Sequence, residues 1–297
     1  MKRALMALAC AATAALVAPA VAAPAQAHTT TGSKARPLDP AAALRKKFVP
    51  GHGVRFVSSG KTDFGGMTTV KSGAKGTLAF GRSGVAASDI AFKIDYAALL
   101  GNDEDLKGLD KPIRTITIGR TAYLSGGFYS NLLPEGKKWL RMRGEDPDSA
   151  LQMIGEFVNP LDWRNLKAVL ATTKAKGPGG VVNGAKTTVY RGAITLKQLS
   201  AVVPSLRKGL TAADGKNVVN WKIWIGADQL VRKVSTSMTM TTKYKKTTME
   251  IESTNSTSFV GWGSKVTVKA PPKSTVADLS DLDGGVPDMP DMINLGD

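Results

Sequence analysis

The residue types that do most enzyme chemistry are scarce in this chain. Two histidines occur in 297 residues, His28 in a Thr-rich N-terminal stretch and His52 between Gly51 and Gly53. The single cysteine is Cys10. A Ser-His-Asp or Cys-His relay needs a histidine that a third group can orient, and a zinc site needs three or four Cys, His or carboxylate ligands. Neither assembles comfortably from this inventory. A carboxylate pair could still serve glycoside chemistry. Asp103, Glu104 and Asp105 form the clearest cluster, but they sit in a polar stretch that reads as a solvated turn, and Glu145, Asp146 and Asp148 read as helix-capping residues. Residues 174–184 are Gly-rich yet lack the Gly-Lys-Ser/Thr ending of a phosphate loop. The expectation is a protein with no catalytic residues, no metal and no cofactor.

The chemistry that remains is burial. Phe157, Trp163, Leu166 and Leu170 fall around a pair of amphipathic helical stretches, and Trp221 and Ile223 lie on one face of a strand pattern. Residues so spaced either fill a core or line a cavity for an apolar ligand, and both readings stand. As cavity residues they would hold an apolar ligand by burial alone, with basic side chains at the rim to meet any anionic group it carries.

The elements that must position them follow from periodicity. Asp39-Pro40 is an N-cap followed by proline at the first helical position, opening a short helix over 41–48 that Pro50-Gly51 stops. From Gly53 the pattern turns to alternating runs: Val54 and Phe56, then 77–80, then Ile90, Phe92 and Ile94. Residues 113–118 and 122–124 flank a Gly119-Arg120 hairpin, and 139–142 add a further strand, while 96–111 interrupt the series. The middle reads as helices over 150–158 and 161–172, the second opened by Asn159-Pro160, with a Gly-rich loop at 174–184 after them. Strand patterning resumes at 187–194, followed by helical turns near 196–203 and 206–213. It then continues at 219–225, 230–242, 246–258 and 265–268. Pro271-Pro272 reads as the end of the folded region. Strands, a helical insert and more strands describe an α+β domain, one antiparallel sheet with helices against one side.

The ends and the charge place this domain. Lys2 and Arg3, the apolar run 4–17 and Ala25-Gln26-Ala27 have the layout of an export signal cleaved after Ala27. The alternative is a lipid anchor at Cys10, which would lie inside the apolar run instead of ending it. Residues 28–38 read as a disordered linker and 277–297 as an acidic disordered tail, with six aspartates and neither lysine nor arginine. The formal charge is +16, so the body is strongly basic and suits anionic partners. A membrane surface or a wall polymer fits; export argues against nucleic acid. Oligomeric state is left open.

Several short motifs, in order, carry a resemblance. Tyr123 precedes Leu133-Pro134-Glu135-Gly136-Lys137-Lys138-Trp139, and Asn159-Pro160 opens a helix. Next come Thr188-Val189-Tyr190-Arg191-Gly192, then Trp224-Ile225-Gly226 ahead of Leu230-Val231-Arg232-Lys233. Trp262-Gly263-Ser264-Lys265-Val266 leads to Pro271-Pro272. Over roughly residues 41–278 the chain resembles the LolA-like actinobacterial lipoproteins, including the LprG and LppX type that carry lipids. Two features depart from that family: the signal looks secretory instead of lipid-anchored, and Gly226 stands where an acidic residue is usual. The resemblance implies a strongly curved half-barrel sheet with helices on its concave face, a LolA-like lipid-binding domain over 39–276. It implies a hydrophobic cavity for a lipid or lipoglycan, and a role as carrier or chaperone at the cell envelope. A sensor or interaction module of the same fold, without a transported lipid, is the alternative.

Overall fold

The computed structural model describes residues 39–95, 111–144, 157–207, 210–244 and 247–282. The helix expected over 150–158, the interruption at 96–111, and both acidic clusters lie wholly or mostly outside them.

Alternation of apolar and polar residues makes the first half a meander. Its strands are β1 (His52–Phe64), β2 (Thr68–Phe80), β3 (Val85–Asp95), β4 (Ile113–Ile118), β5 (Thr121–Gly126) and β6 (Trp139–Arg143). A second meander comprises β7 (Thr173–Val182), β8 (Ala185–Thr195), β9 (Val218–Gly226), β10 (Val231–Tyr244) and β11 (Thr247–Lys265). The two join where β11 pairs antiparallel with β1, from His52 opposite Lys265 to Phe64 opposite Ile251. With β12 (Val276–Asp278) added, the result is one curved, unclosed sheet of twelve strands, ordered β12-β6-β5-β4-β3-β2-β1-β11-β10-β9-β8-β7. The last strand in sequence, β12, is the exception to antiparallel pairing: it lies parallel to β6.

Several expectations change here. Residues 174–184 are not a loop but most of β7 and its turn into β8, with register shifts around Pro178. Asn183 and Gly184 take φ of 50° and 78°, the left-handed pair that a two-residue hairpin turn demands. Lysines, proline and bulges blunt this edge strand against pairing with another chain. β2 begins at Thr68, well before the apolar run at 77–80 that announced it. No separate strand covers 265–268; β11 runs unbroken to Lys265. Nor does Pro271-Pro272 end the fold. The chain crosses the outer face of the sheet, where Val266 covers Gly53, and reaches the far edge, where Lys138 N donates to Thr275 O at 2.9 Å. Arg141 then grips Asp278 through both its Nε and an η nitrogen. Ala277 and Leu282 are buried, so the segment expected to be a disordered tail from 277 is ordered through Leu282.

The helices follow their caps. In α1 (Pro40–Arg45) the Asp39 carboxylate accepts from Ala42 N at 2.8 Å. The helix expected over 161–172 is α2 (Trp163–Ala171), capped by Asp162; Asn159 instead makes a local turn, accepting from Leu161 N. Two short helices, α3 (Leu196–Ser200) and α4 (Pro204–Arg207), follow β8, and Thr195 with Gln198 forms a reciprocal capping box on α3. α1 packs against α2, and α2 against β8. Leu44 of α1 and Leu166 and Val169 of α2 enter one cluster with Phe56, Leu78, Trp221, Ile223, Val234 and Phe259 from the strands. Each such side chain contributes about 1.5–3 kcal/mol by leaving water. No helix among the described residues is long and apolar enough to cross a membrane.

Candidate functional site

Side chains on directly paired residues share a face of the sheet, so register shows what the concave face presents. One row runs Ile94, Ser72, Gly60, Asn255, Thr236, Trp221, Gly192 across seven strands from β3 to β8. On one side the neighbouring row brings Ser58 and Thr257; on the other it brings Thr62, Ser253 and Met238. A polar island of hydroxyls and one amide therefore sits on the inner face of β2, β1, β11 and β10. Apolar residues surround it: Phe56 and Phe259 toward one end of the strands, Val70 and Ile251 toward the other.

Part of this island satisfies itself. Ser58 Oγ donates to Asn255 Oδ1 at 3.0 Å, Thr257 Oγ1 donates to Ser58 Oγ at 2.7 Å, and the Thr62 and Ser253 hydroxyls share a bond at 3.2 Å. The Ser72 and Thr236 hydroxyls make no hydrogen bond within the described protein. Both border a cleft of about 140 Å³, lined also by Gly60, Asn255, Met238 and Phe157. Gly60 holds it open: a Cβ there would lie 2.4 Å from Ser72 Oγ.

No charge points into the cleft from its lining strands. Lys61 touches it along the chain, but alternation turns its ammonium to the outer face, 4.0 Å from Asp63. The Gly66 amide and the Thr69 hydroxyl hold the Asp63 carboxyl below the usual carboxylate range there. The lining strands thus turn no cation inward, and the described residues leave a basic rim untested. An ionised headgroup in the cleft would lose hydration with no opposite charge to replace it, at a cost of several kcal/mol.

Of the six residues proposed from sequence, Phe157 alone lines the cleft. Leu166, Trp221 and Ile223 are fully buried together in the core, and half-buried Leu170 packs against it. Trp221 nonetheless flanks the polar row beside Thr236, and its Nε1 donates to Thr172 Oγ1 at 3.1 Å, tying the end of α2 to the sheet. Trp163 is half-buried beside the core, with the Arg45 and Arg164 guanidiniums over its ring at 5.1 and 4.5 Å. Burial raises the Tyr190 hydroxyl above its ordinary value on the same inner face. Sequence reasoning missed Gly60, Ser72, Thr236, Ser253 and Asn255. The available signal was the alternation Ser253, Asn255, Thr257 in step with inward-facing Ile251 and Phe259. Among the described residues, no three His, Cys, Asp or Glu side chains converge on a metal-sized site.

No family model matches the chain, and no curated protein sequence matches it. Among solved structures it is similar to a DUF1329 family protein from Desulfovibrio piger, at 12% identity and a TM-score of 0.27, over 78% of this chain and 93% of that one. It is similar also to the LolA superfamily protein NE2245 from Nitrosomonas europaea, at 8% identity and a TM-score of 0.25, over 78% and 93%. A lipovitellin structure, described by its lipid–protein interactions, aligns at 11% identity and a TM-score of 0.27, over 76% of this chain and 26% of that one.

Proposed function

We propose that the protein is an exported, non-catalytic carrier or chaperone that holds a long-chain amphiphile, a lipid or lipoglycan, against the concave face of its sheet, in the manner of the LprG and LppX type lipoproteins. The observation that carries this reading is the amphipathic cleft. Phe157 and Met238 supply apolar wall, and the Ser72 and Thr236 hydroxyls, which make no hydrogen bond among the described residues, supply polar wall. A space kept only for packing would be filled, because interiors are close-packed. Burial alone can hold such a ligand. At about 0.8 kcal/mol per methylene, a sixteen-carbon chain grosses roughly 10 kcal/mol before ordering costs.

The size of the cleft favours a second reading. Its 140 Å³ is well below the roughly 300–1,000 Å³ of pockets that enclose a whole drug-sized ligand. A sensor or interaction module of the same fold, with no transported lipid, needs no larger space. Native mass spectrometry of protein purified from its own host separates the two: co-purified lipid of defined mass supports the carrier. A ligand-free protein that also fails to take up a fluorescent fatty acid supports the module.

A further inference from the structure

The face opposite the cleft has a charge pattern of its own. On the convex side the register aligns Arg191, Lys222, Ser235, Ser256, Ser59, Gly73 and Lys93 in one row from β8 to β3. The adjacent row runs Trp224, Lys233, Ser258, Val57, Lys75, Ala91 from β9 to β3, and Lys61 stands opposite Lys71 in the row beyond. The central strands β10, β11 and β1 therefore present serines and Val57, which is 60% exposed, with Lys233 on β10 and Lys61 on β1 among them, while both flanks present long cations. Seven strands at about 4.8 Å spacing make this face roughly 29 Å across.

Apart from Lys61, which lies 4.0 Å from Asp63, these cations are not matched locally. Among the described residues, Lys71, Lys75, Lys93, Lys222 and Arg191 have no carboxylate within 4.0 Å, and Lys233 instead lies over the Trp224 ring at 5.2 Å. Asp95, opposite Lys71, is the acid directly within the three rows. Glu252 and Asp63 pair across the strands one row further out.

The geometry points to this convex face as a docking surface for an anionic lipid bilayer. A curved sheet falls away from a plane on both sides of its centre. At the crest the serines are short, Lys233 reaches sideways over the Trp224 ring and Lys61 toward Asp63, so the long cations of the falling flanks reach the same plane as the crest. The charges are spread singly over a wide surface, which suits many separate headgroups; a single polyanionic strand would favour cations lined along one groove. Each lysine or arginine near an anionic membrane is worth about a five-fold gain in partition, screened by salt. The surface is separate from the concave cleft and stands whether or not that cleft carries lipid.

The test is co-sedimentation of the full mature chain with vesicles of phosphatidylglycerol and phosphatidylcholine, against phosphatidylcholine alone. The protein is expected on the anionic vesicles at low salt and off them at high salt. Lys75→Gln with Lys222→Gln, one cation from each flank, is expected to lower the partition roughly 25-fold. Lys167→Gln with Lys216→Gln removes the same charge from exposed positions off this face and is expected to cost less than about three-fold. Equal losses in the two pairs, or no binding to anionic vesicles at low salt, overturn the proposal. Capture by soluble polyphosphate without vesicle binding overturns it in favour of a linear polymer. All four positions are solvent-exposed, so unfolding midpoints should stay near wild type and separate docking from folding.

Discussion

Gly192 tests whether α2 is docked on the sheet through Trp221. A Cβ at Gly192 would lie 2.3 Å from the Thr172 carbonyl oxygen and 2.4 and 2.7 Å from two ring atoms of Trp221. Neither neighbour yields easily. The Thr172 carbonyl is backbone at the helix end, and the Trp221 ring is 1% exposed and pinned by its bond to Thr172. Overpacking a closed core costs about 1–3 kcal/mol, and three contacts below 3 Å with two rigid neighbours put Gly192→Ala in the upper half of that range. For a domain of this size the same cost lowers Tm by roughly 4–10 °C. Urea unfolding followed by tryptophan fluorescence measures it. Gly177→Ala is the control: it also sits in a strand, and its Cβ would meet nothing within 4 Å. Its effect should be neutral, or stabilising by up to about 1 kcal/mol through the unfolded chain. In a Trp221→Phe background the smaller ring leaves room, so Gly192→Ala should cost at least about 1 kcal/mol less than in wild type. A Gly192→Ala protein as stable as wild type, or strict additivity with Trp221→Phe, would refute this packing.

Three further outcomes can be checked, two from the geometry and one from the N-terminal sequence. Gly60→Val fills the cleft from its floor and should reduce fluorescent-lipid uptake at least ten-fold while costing about 1–3 kcal/mol of stability; unchanged uptake by a folded variant removes the cleft from the carrier reading. The Arg141 guanidinium holds the Asp278 carboxyl below its ordinary value. Its contribution is therefore fully present above the unfolded value near pH 4 and is lost as pH falls through the lower folded value. Because the pair is partly exposed, the stability gap between wild type and Asp278→Asn should be small at neutral pH and should close in acid, as unfolding midpoints across that range can check. N-terminal sequencing of exported protein should begin at His28, whereas a diacylated Cys10 would place the chain on the membrane.

The sequence by itself determined the class of the fold and the place of most of its strands. Period-two alternation at Val54 and Phe56, at Ile90 and Phe92, and at Trp221 and Ile223 names the buried side of each strand, because a one-residue slip would turn every apolar side chain to water. The Asp39-Pro40 cap and the Gly119-Arg120 hairpin were legible because their signals are local. Tertiary contacts decided the rest. Gly60, Ser72, Asn255 and Thr236 come from four strands spread over 195 residues of chain, and only the pairing of β11 with β1 sets them in one row. β7 reads as a loop because glycine and proline disfavour strands, yet the unsatisfied edge of β8 recruits it. β12 looks like the start of an acidic tail until the Arg141 guanidinium and the free edge of β6 are placed beside it. The same aspartate that makes a tail soluble makes an ion pair when a cation is fixed opposite, and no local pattern in the chain records where that cation will be.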